Sequence, residues 1–468
     1  MLEKLADVFK TIGQPTVTYV QRDSGKLDRQ LRDALNERGQ LCLVTGPSKT
    51  GKTTLYKEVL FSKSLLPLTV QCDKSLTTDE LWKRALEQVD FERTETIAGG
   101  KVIKVSGEVE GGGKLSWKWL AEITAKVKGS TGIDLNEQET RKRILATPSP
   151  DLLIPLLKHA NFVLVVEDFH YLEDSEKILL FQQWKRFIDN EVSVIVLGTT
   201  HRAVDIANSN RDLIGRISQI DVGHWDNKDL EKICELGFKH LGGELPSRQR
   251  EIIAQEAVGL PIVVQQTCLE LCTADGSEYV RDYKKKQHDL SSNAVGRALH
   301  RVATRKYTQF ESYYTTLIRG PREKSRKYKT YELVLACFTL DPIKFSLRRT
   351  DIDHRMNQLR LTTDQRPPAA SLNSTLGALK KFQERRGFNL LEWRPNEEIL
   401  YIIEPSFLFY VRWRTQKNSL GEQLDLFEKL LSATWDSTET RKGRKWRLEF
   451  SDVFSLIRTE KYTNSQED

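Results

Sequence analysis

The stretch Leu41–Leu60, LCLVTGPSKTGKTTLYKEVL, decides the fold of the amino-terminal part of the chain. Its first four residues, Leu41 to Val44, are all apolar, which is typical of a strand buried on both faces in a parallel sheet. Gly46 to Thr53 then matches G-x-x-x-x-G-K-[ST] at every position, and Thr54 to Leu60 continues with the character of a helix. The order strand, glycine-rich loop, helix predicts a phosphate-binding loop.

The residue types in this loop fit the binding of a nucleoside triphosphate. Gly46 and Gly51 let backbone N–H groups turn towards phosphate oxygens, because no Cβ stands in the way. The helix that begins near Lys52 adds the positive end of its dipole. The Lys52 ammonium suits the β- and γ-phosphates, and the Thr53 hydroxyl can ligate Mg²⁺. We therefore expect ATP and Mg²⁺ to be bound by Gly46, Pro47, Ser48, Lys49, Thr50, Gly51, Lys52, Thr53 and Thr54.

A second apolar run, Phe162 to Val166, ends in the acidic pair Glu167-Asp168. A carboxylate at the end of a strand beside the phosphate loop can hold the Mg²⁺ shell, and its neighbour can orient an attacking water. By position, Glu167 takes the metal side and Asp168 the water side. The expected metal site therefore consists of Thr53, Glu167 and Asp168, although a surface acidic pair remains the alternative.

A third strand is predicted at Val192–Leu197, and it runs into a polar segment. Thr199, Thr200 and Arg202 in that segment are candidates to sense the γ-phosphate, because this strand should lie beside the acidic one. An ordinary strand-to-helix loop is the other interpretation.

Two arginines precede a short strand predicted at Ser218–Val222. Either Arg211 or Arg216 could reach the γ-phosphate of a neighbouring subunit as an arginine finger. Either could equally form a surface ion pair, which contributes little to stability. The sequence favours Arg211 slightly.

The composition is that of an ordinary globular protein. The chain has 468 residues, with 72 basic and 65 acidic side chains and a net charge of +7, which permits nucleic-acid contact without requiring it. No apolar run approaches the roughly 20 residues that span a bilayer, and Met1 to Val17 lacks the pattern of a signal peptide. We expect a cytoplasmic protein without a membrane partner. Its six cysteines lie in apolar stretches without metal-ligand spacing and are expected to be buried thiols.

Strands and helices alternate through residues 1–223, with helical crossovers, which predicts a parallel sheet between helices. Pro15 to Val20 alternates like an additional strand. A segment rich in glycine and lysine, about 91–143, interrupts this pattern. A contact with another subunit or partner, a contact with nucleic acid and a merely flexible excursion all remain open for it.

After Val222 the pattern becomes helical, and residues 224–320 are expected to form a helical lid. Helices are predicted at Asn227–Leu241, Arg248–Val258, Ile262–Cys272 and, as one long helix, Ser291–Leu317. Pro261 stands at a first-turn position of the third, where its missing N–H costs nothing.

Residues 321–415 have the pattern of a winged helix. Helices are predicted at Tyr331–Leu340, Ser346–Leu359 and Ser371–Arg386, followed by two strands at Phe388–Trp393 and Ile399–Ile403. The third helix of such a fold can enter the DNA major groove. Here it would offer Asn373, Ser374, Lys380, Lys381, Arg385 and Arg386. Many winged helices bind only protein, so DNA binding stays open, and residues 416–468 form a tail without a clear pattern.

Taken in order, these motifs resemble those of the AAA+/STAND group of ATPases. The resemblance is strongest to the bacterial and archaeal branch near origin-recognition ATPases with a C-terminal winged helix. It rests on YVQR ending in Arg22, GPSKTGKT, VLVVEDFHYL, LGTTHR, NRDLIGRI and GLP, and it spans about 14–413 without the glycine-rich segment. It implies a parallel-sheet P-loop NTPase domain of ASCE/AAA+-like type, followed by a helical lid and a winged-helix domain.

The resemblance also implies roles for particular residues. Tyr19 to Arg22 would lie near the adenine, Arg202 would match the arginine of a TTR sensor, and Pro261 would touch the nucleotide. Three departures stand out: the sensor has TTHR in place of TTR, the order of the two acids is reversed, and no long repeat array follows. A partner protein could therefore supply sensing or output.

These observations favour an ATP-dependent molecular switch with slow turnover, which acts as a homo-oligomer or in a complex with an effector protein. By resemblance, bacterial anti-phage or stress signalling would be its setting. Two rivals stay open: a DNA-binding ATPase such as a loader or transposition regulator, and a scaffold that binds ATP with little hydrolysis.

Overall fold

The computed structural model describes residues 2–88, 149–159, 161–199, 213, 215–223, 225–321, 327–340, 342–359, 361 and 363–414. The glycine-rich segment and the predicted tail lie outside these residues, so the hypotheses about them stay predictions, as do the domain limits at 223, 320 and 415. The chain divides into two compact units. We call Gln21–His224 the sheet unit, and Met1–Val20 with Trp225–Asp468 the helical unit.

The sheet unit is built on a five-stranded sheet in the order β2-β3-β4-β1-β5. All of its strands are parallel, as predicted. Their bounds are β1 (Leu41–Thr45), β2 (Leu66–Gln71), β3 (Phe162–Glu167), β4 (Val194–Gly198) and β5 (Ile217–Asp221). In a parallel sheet the carboxyl ends of all strands meet at one edge, where the loops that follow can form a ligand site.

Helices cover both faces of this sheet. After α1 (Leu5–Val8), which belongs to the helical unit, come α2 (Lys26–Asn36), α3 (Lys52–Ser62), α4 (Thr78–Glu87), α5 (Pro150–His159) and α6 (Asp174–Asp189), with short 3₁₀ turns at Arg22–Gly25 and Phe169–Tyr171. One apolar core joins α2 and α3 to one face of the sheet. A second core joins α4, α5 and α6 to the other face.

The outer strand β2 is protected along its free edge by a side chain. The backbone N–H of Thr69 donates to the Gln88 amide oxygen at 2.8 Å, and the Gln88 amide nitrogen donates back to the Thr69 carbonyl. Gln88 thus satisfies one residue of the edge as a neighbouring strand would. Pro67, on the same strand, has no N–H to offer.

The helical unit begins with residues that do not form the predicted strand. Pro15 to Val20 belongs to no strand of the described part of the chain. Instead, the buried Thr18 hydroxyl donates to the Val8 carbonyl and accepts from the Gln265 amide at 2.6 Å. The alternation reflects a loop with one buried side, on which Thr18 and Val20 lie.

Most helices of this unit follow the predicted bounds closely: α7 (Asn227–His240), α8 (Ser247–Glu256), α9 (Pro261–Cys272), α10 (Val280–Tyr283), α11 (Ser292–Lys306) and α12 (Phe310–Arg319). The single long helix expected over Ser291–Leu317 is wrong, since α11 ends before Tyr307. The Tyr307 hydroxyl donates to Gln266 at 2.9 Å, and its ring packs edge-on against Phe409. These tertiary contacts anchor the chain where local propensity would have continued the helix.

The last elements have the order of a winged helix: α13 (Thr330–Thr339), β6 (Ser346–Arg348), α14 (Arg349–Gln358), α15 (Ala369–Arg385), β7 (Leu391–Arg394), β8 (Ile399–Ile402) and α16 (Ser406–Trp413). The antiparallel sheet has the order β6-β8-β7. The predicted start of a helix at Ser346 is wrong, because Ser346 pairs with Tyr401 as a third strand. Helix α14 begins only at Arg349, where the Arg348 N–H donates to Asp351 at 3.2 Å.

A buried ion pair links two helices of this unit. Arg412 on α16 donates from two nitrogens to the carboxylate of Glu256 on α8 at 2.9–3.1 Å, and the Trp413 indole donates to the same carboxylate at 3.0 Å. Arg412 and Glu256 are 4% and 5% exposed. A third donor on Arg412 reaches the Thr339 carbonyl, so α8, α13 and α16 are held together by one charged cluster.

Each of the six cysteines is buried and free of disulfide bonds, as expected from sequence. The described residues contain no helix long and apolar enough to cross a bilayer.

Candidate nucleotide site

The glycine-rich loop between β1 and α3 lies at the carboxyl edge of the sheet. The Gly46 N–H donates to the Gly198 carbonyl at the end of β4 at 3.3 Å. A Cβ at position 46 would lie 3.0 Å from the backbone carbonyl atoms of Val222. Backbone atoms cannot move aside cheaply, so this close approach requires glycine. Gly51, with φ of 92°, supplies the left-handed residue from which α3 begins.

Lys52 is the first residue of α3, and its side chain bends back over the loop. Its ammonium donates to the carbonyls of Gly46 and Pro47, at 2.9 and 2.7 Å. The Thr50 hydroxyl donates to the same Pro47 carbonyl at 2.9 Å. These contacts hold a cation above a loop that opens onto the positive end of a helix, where an anion is stabilised.

Thr53 and Glu167 come together from different elements. The Thr53 hydroxyl, in the first turn of α3, donates to Glu167 Oε1 at the end of β3, at 3.0 Å. The contact follows from the strand period, because Val163, Val165 and Glu167 point to the face of β3 that α3 covers. The two predicted oxygen ligands are therefore hydrogen-bonded neighbours, and Thr53 directly follows Lys52 in the chain.

Asp168 adopts a left-handed backbone, with φ of 56°, and its carboxylate is held by a residue that the sequence analysis did not select. The Gln71 amide donates to Asp168 Oδ2 at 3.0 Å. Gln71 ends β2 directly opposite Glu167. The missed signal was a polar residue at the end of a parallel strand, which by position must face the same edge of the sheet.

The same signal applies to Asp221, the last residue of β5. The Arg22 guanidinium donates to the carbonyl of Val222 at 3.4 Å, and it opposes the rise in the pKa of Asp221 that desolvation causes. Val222 is also the residue whose backbone approaches Gly46. Arg22 thus lies beside the loop, although its predicted place near adenine remains a prediction.

Arg216 lies at the amino-terminal end of the strands, and the phosphate loop lies at their carboxyl end. Its carbonyl accepts from the N–H of Leu41, where β1 begins, and β5 then runs to Asp221 beside Thr45. At about 3.3 Å per residue, β5 separates Arg216 from the loop of its own subunit by about 15 Å. Its side chain forms an exposed ion pair with Asp189 at 3.3 Å.

Among the remaining candidates, Thr199 directly follows Gly198, whose carbonyl accepts from the Gly46 N–H, so it lies at the same end of the sheet as the loop. Thr200, Arg202 and Arg211 lie outside the described residues. Pro261 opens α9 in the helical unit, at the first-turn position predicted for it. Their proposed roles towards the nucleotide stay predictions.

The Thr53 and Glu167 oxygens suit Mg²⁺ that is also bound by phosphates, and not a metal ion whose ligands all come from the protein. Within the described residues, no three His, Cys, Asp or Glu side chains cluster as a metal site. Mg²⁺ takes one or two protein oxygens, keeps several waters and completes its octahedron with substrate phosphates. The Thr53 hydroxyl and the Glu167 carboxylate, 3.0 Å apart beside the loop, provide that number and kind of oxygen.

The parallel sheet, its strand order and the loop–helix junction together define the α/β fold of a P-loop NTPase, followed by helices and a winged helix. The predicted fold class is thereby confirmed.

No protein-family model and no curated protein matches the chain. Among solved structures, it is similar to the Walker-type ATPase PABY2304 of Pyrococcus abyssi, with 15% identity, a TM-score of 0.48, and coverage of 86% of this chain and 99% of that one. It is also similar to CDC6P from Pyrobaculum aerophilum (13% identity, TM-score 0.38, 87% and 97% covered). A third similar structure is the Aeropyrum pernix ORC1 protein in complex with DNA, with 13% identity, a TM-score of 0.37, and coverage of 88% of this chain and 96% of that one. Likeness at this distance leaves activity and partners to be argued from the site itself.

Proposed function

We propose that this chain binds ATP with Mg²⁺ and hydrolyses it slowly, as a molecular switch of the AAA+/STAND kind that its motifs resemble. The observation that carries the proposal is the contact between Thr53 and Glu167 at the mouth of the glycine-rich loop. A hydroxyl and a carboxylate side by side, next to a loop-held lysine, are what a phosphate-bound Mg²⁺ requires.

The residues then divide the work. Lys52 places a positive charge against the β- and γ-phosphates, and the loop amides and the start of α3 bind the remaining phosphate oxygens. Glu167, bonded to Thr53, belongs to the metal side. Asp168 accepts from Gln71 and is placed to orient the attacking water. Bound Mg²⁺ would neutralise charge that develops on the phosphates.

Calorimetry with ATP and Mg²⁺ tests this proposal. The wild-type protein should bind ATP and ADP, and Lys52→Ala should lose measurable binding because its ammonium is gone. Lys57→Ala is the matched control, since Lys57 is an exposed lysine on the same helix. Absence of nucleotide binding by the wild type, or equal binding by Lys52→Ala, would sink the proposal.

Hydrolysis is tested separately by phosphate release. Removing a general base typically costs 10²–10⁴-fold in rate, so Asp168→Asn should reduce turnover by about 100-fold or more while ATP still binds. If the wild type binds ATP but releases no phosphate, the scaffold alternative is correct.

A second candidate function, DNA binding, is favoured by the surface of α15. Six polar or basic side chains on and just after this helix are exposed: Asn373, Ser374, Lys380, Lys381, Arg385 and Arg386. The hairpin between β7 and β8 contributes little to a phosphate contact, because Arg394 in it is already paired with Glu392 and Glu397. DNA would therefore be contacted through the third helix of the winged helix.

Salt-dependent affinity for duplex DNA tests this candidate. Each phosphate contact adds nearly one unit to the slope of log affinity against log salt. Replacing Lys380 and Lys381 by alanine should lower that slope by about two. The exposed pair Lys284 and Lys285, replaced in the same way, is the control.

The setting in anti-phage or stress signalling, with a separate effector, rests on the resemblance alone.

A further inference from the structure

Tyr56 is a polar residue of the sheet unit that the roles above leave unused. It lies on α3 one turn beyond Thr53, and its side chain is completely buried. Its hydroxyl makes no hydrogen bond of good geometry among the described residues, although Thr69 and Glu167 lie near enough to act on its pKa. Leaving a buried hydroxyl unsatisfied costs about 1–3 kcal/mol. A phenylalanine would fill the same space without that cost, so the hydroxyl calls for an explanation.

Strands β2 and β3 present three polar side chains to the face that α3 covers: Thr69, Gln71 and Glu167. Leu68 and Val70 point to the other face of β2, so Thr69 and Gln71 face α3 by the strand period. Thr69 lies opposite Val165, and Gln71 opposite Glu167. Tyr56 belongs to the same core cluster as Val165. Thr69 and Glu167 are also the two side chains that act on the pKa of the Tyr56 hydroxyl, so both lie near it.

The Tyr56 hydroxyl and the Glu167 carboxylate also influence each other electrostatically. Burial raises the pKa of its hydroxyl well above the ordinary value, Thr69 opposes this rise, and the nearby negative charge of Glu167 adds to it. A phenolic O–H is a hydrogen-bond donor, and a carboxylate oxygen is an acceptor, so the two groups are complementary.

Glu167 needs a second donor if its carboxylate is to hold one orientation. Thr53 donates to Oε1, and a carboxylate fixed by one bond can still turn about it. Groups that orient a metal ligand from behind typically change metal affinity by 10–100-fold when removed. The second oxygen of Glu167 is the one that a donor from α3 would engage.

We propose that Tyr56 is a positioning residue for Glu167: its hydroxyl donates to the carboxylate oxygen that Thr53 does not engage and so fixes the plane in which Glu167 meets Mg²⁺. The inference rests on the proposed function, because it concerns the metal side of the same site.

The experiment compares wild type, Tyr56→Phe and Thr69→Val. ADP affinity is measured without divalent metal, in the presence of EDTA, and the Mg²⁺ concentration at half-maximal tightening of ADP binding is then determined. Tyr56→Phe should keep its metal-free ADP affinity within twofold of wild type and should require about tenfold more Mg²⁺. Thr69→Val should match wild type in both measurements. A thermal unfolding curve accompanies each variant.

The outcomes separate the two proposals. If wild type binds no ADP, the proposed function fails and this inference fails with it. If wild type binds ADP with Mg²⁺ and Tyr56→Phe needs the same Mg²⁺ concentration, only the inference is overturned. If Thr69→Val raises the required Mg²⁺ concentration as much as Tyr56→Phe does, the positioning role is not specific to Tyr56, and the inference is also overturned. Should Tyr56→Phe not fold, a crystal structure of the wild type with ADP and Mg²⁺ decides: the Tyr56 oxygen must lie within hydrogen-bond distance of Glu167.

Discussion

The Gln71 amide donates a hydrogen bond to the Asp168 carboxylate at 3.0 Å, across the carboxyl ends of two adjacent strands. Asp168 itself has a left-handed backbone conformation, so its carboxylate is positioned by that backbone and by the Gln71 amide. The contact joins strand β2 to the proposed water side of the nucleotide site.

Gln71→Leu should lower the rate of ATP hydrolysis by about tenfold while the affinity for ATP changes little, because it removes a group that orients the proposed base without touching the phosphates. Steady-state phosphate release and calorimetry measure the two quantities. Gln182→Leu, at an exposed glutamine of α6, should leave both unchanged. A loss of ATP affinity with an unaltered rate would contradict the assignment.

Gly46→Ala should weaken ADP binding by at least about tenfold, since the added methyl group would lie 3.0 Å from the backbone of Val222 and force the loop away from its phosphate-binding shape. Overpacking of this kind typically also costs 1–3 kcal/mol of stability. Gly243→Ala is the control, because a Cβ there would meet nothing within 4 Å. Normal ADP affinity in Gly46→Ala would refute the expected close approach.

Arg216→Ala should abolish any increase of ATPase rate with protein concentration, while the affinity for ATP stays the same. Arg216 is too far from the phosphate loop of its own subunit, so it can act only on a nucleotide held by a neighbour. Turnover is measured across a range of protein concentrations. Arg186→Ala breaks a comparable exposed pair with Asp151 and serves as control; an identical response in the two variants would make Arg216 a surface ion-pair partner.

Glu256→Ala should lower the free energy of unfolding by about 3–5 kcal/mol, because it leaves the Arg412 guanidinium buried without its counter-charge. Denaturant unfolding followed by circular dichroism measures this. Glu244→Ala removes an exposed partner of Arg250 and should change stability by under about 1 kcal/mol. Equal effects of the two changes would argue against the buried pair.

The cysteines should resist alkylation at pH 8 as long as the chain is folded. Burial raises the pKa of Cys42, Cys72 and Cys337 to about 12, so only about one molecule in 10⁴ carries each thiolate at that pH. Reactivity should rise with pH towards 12, and all six should react once the protein is unfolded. Mass spectrometry after brief treatment with iodoacetamide would reveal any cysteine that is modified early.

The parts of the fold that the sequence predicted are those with strong local signals. The apolar strands and the glycine-rich loop around Lys52 carry their own pattern, and Pro261 begins a helix at the predicted first-turn position. The failures depended on distant partners. Ser346 becomes a strand only because Tyr401 pairs with it, and Tyr307 ends a helix only because Gln266 and Phe409 hold it.

The site residues that could be predicted are those that a sequence motif or a position at the end of an apolar strand identifies individually. Lys52, Thr53, Glu167 and Asp168 follow from motif and position. Gln71 and Tyr56 carry no motif, and their relevance appears only when β2 is known to lie beside β3 with a given register. Arg216, in contrast, was identified from sequence, but its distance from the loop of its own subunit follows only from the direction of β5.

The Gln88 amide that closes the edge of β2 has a consequence for how this molecule can associate. With the backbone N–H and carbonyl of Thr69 already hydrogen-bonded, and with Pro67 unable to donate, the described edge of β2 is a poor template for a strand from another molecule. Aggregation through strand pairing is therefore disfavoured at this edge of the sheet. A partner protein that binds on this side would do so through side-chain contacts instead of backbone hydrogen bonds.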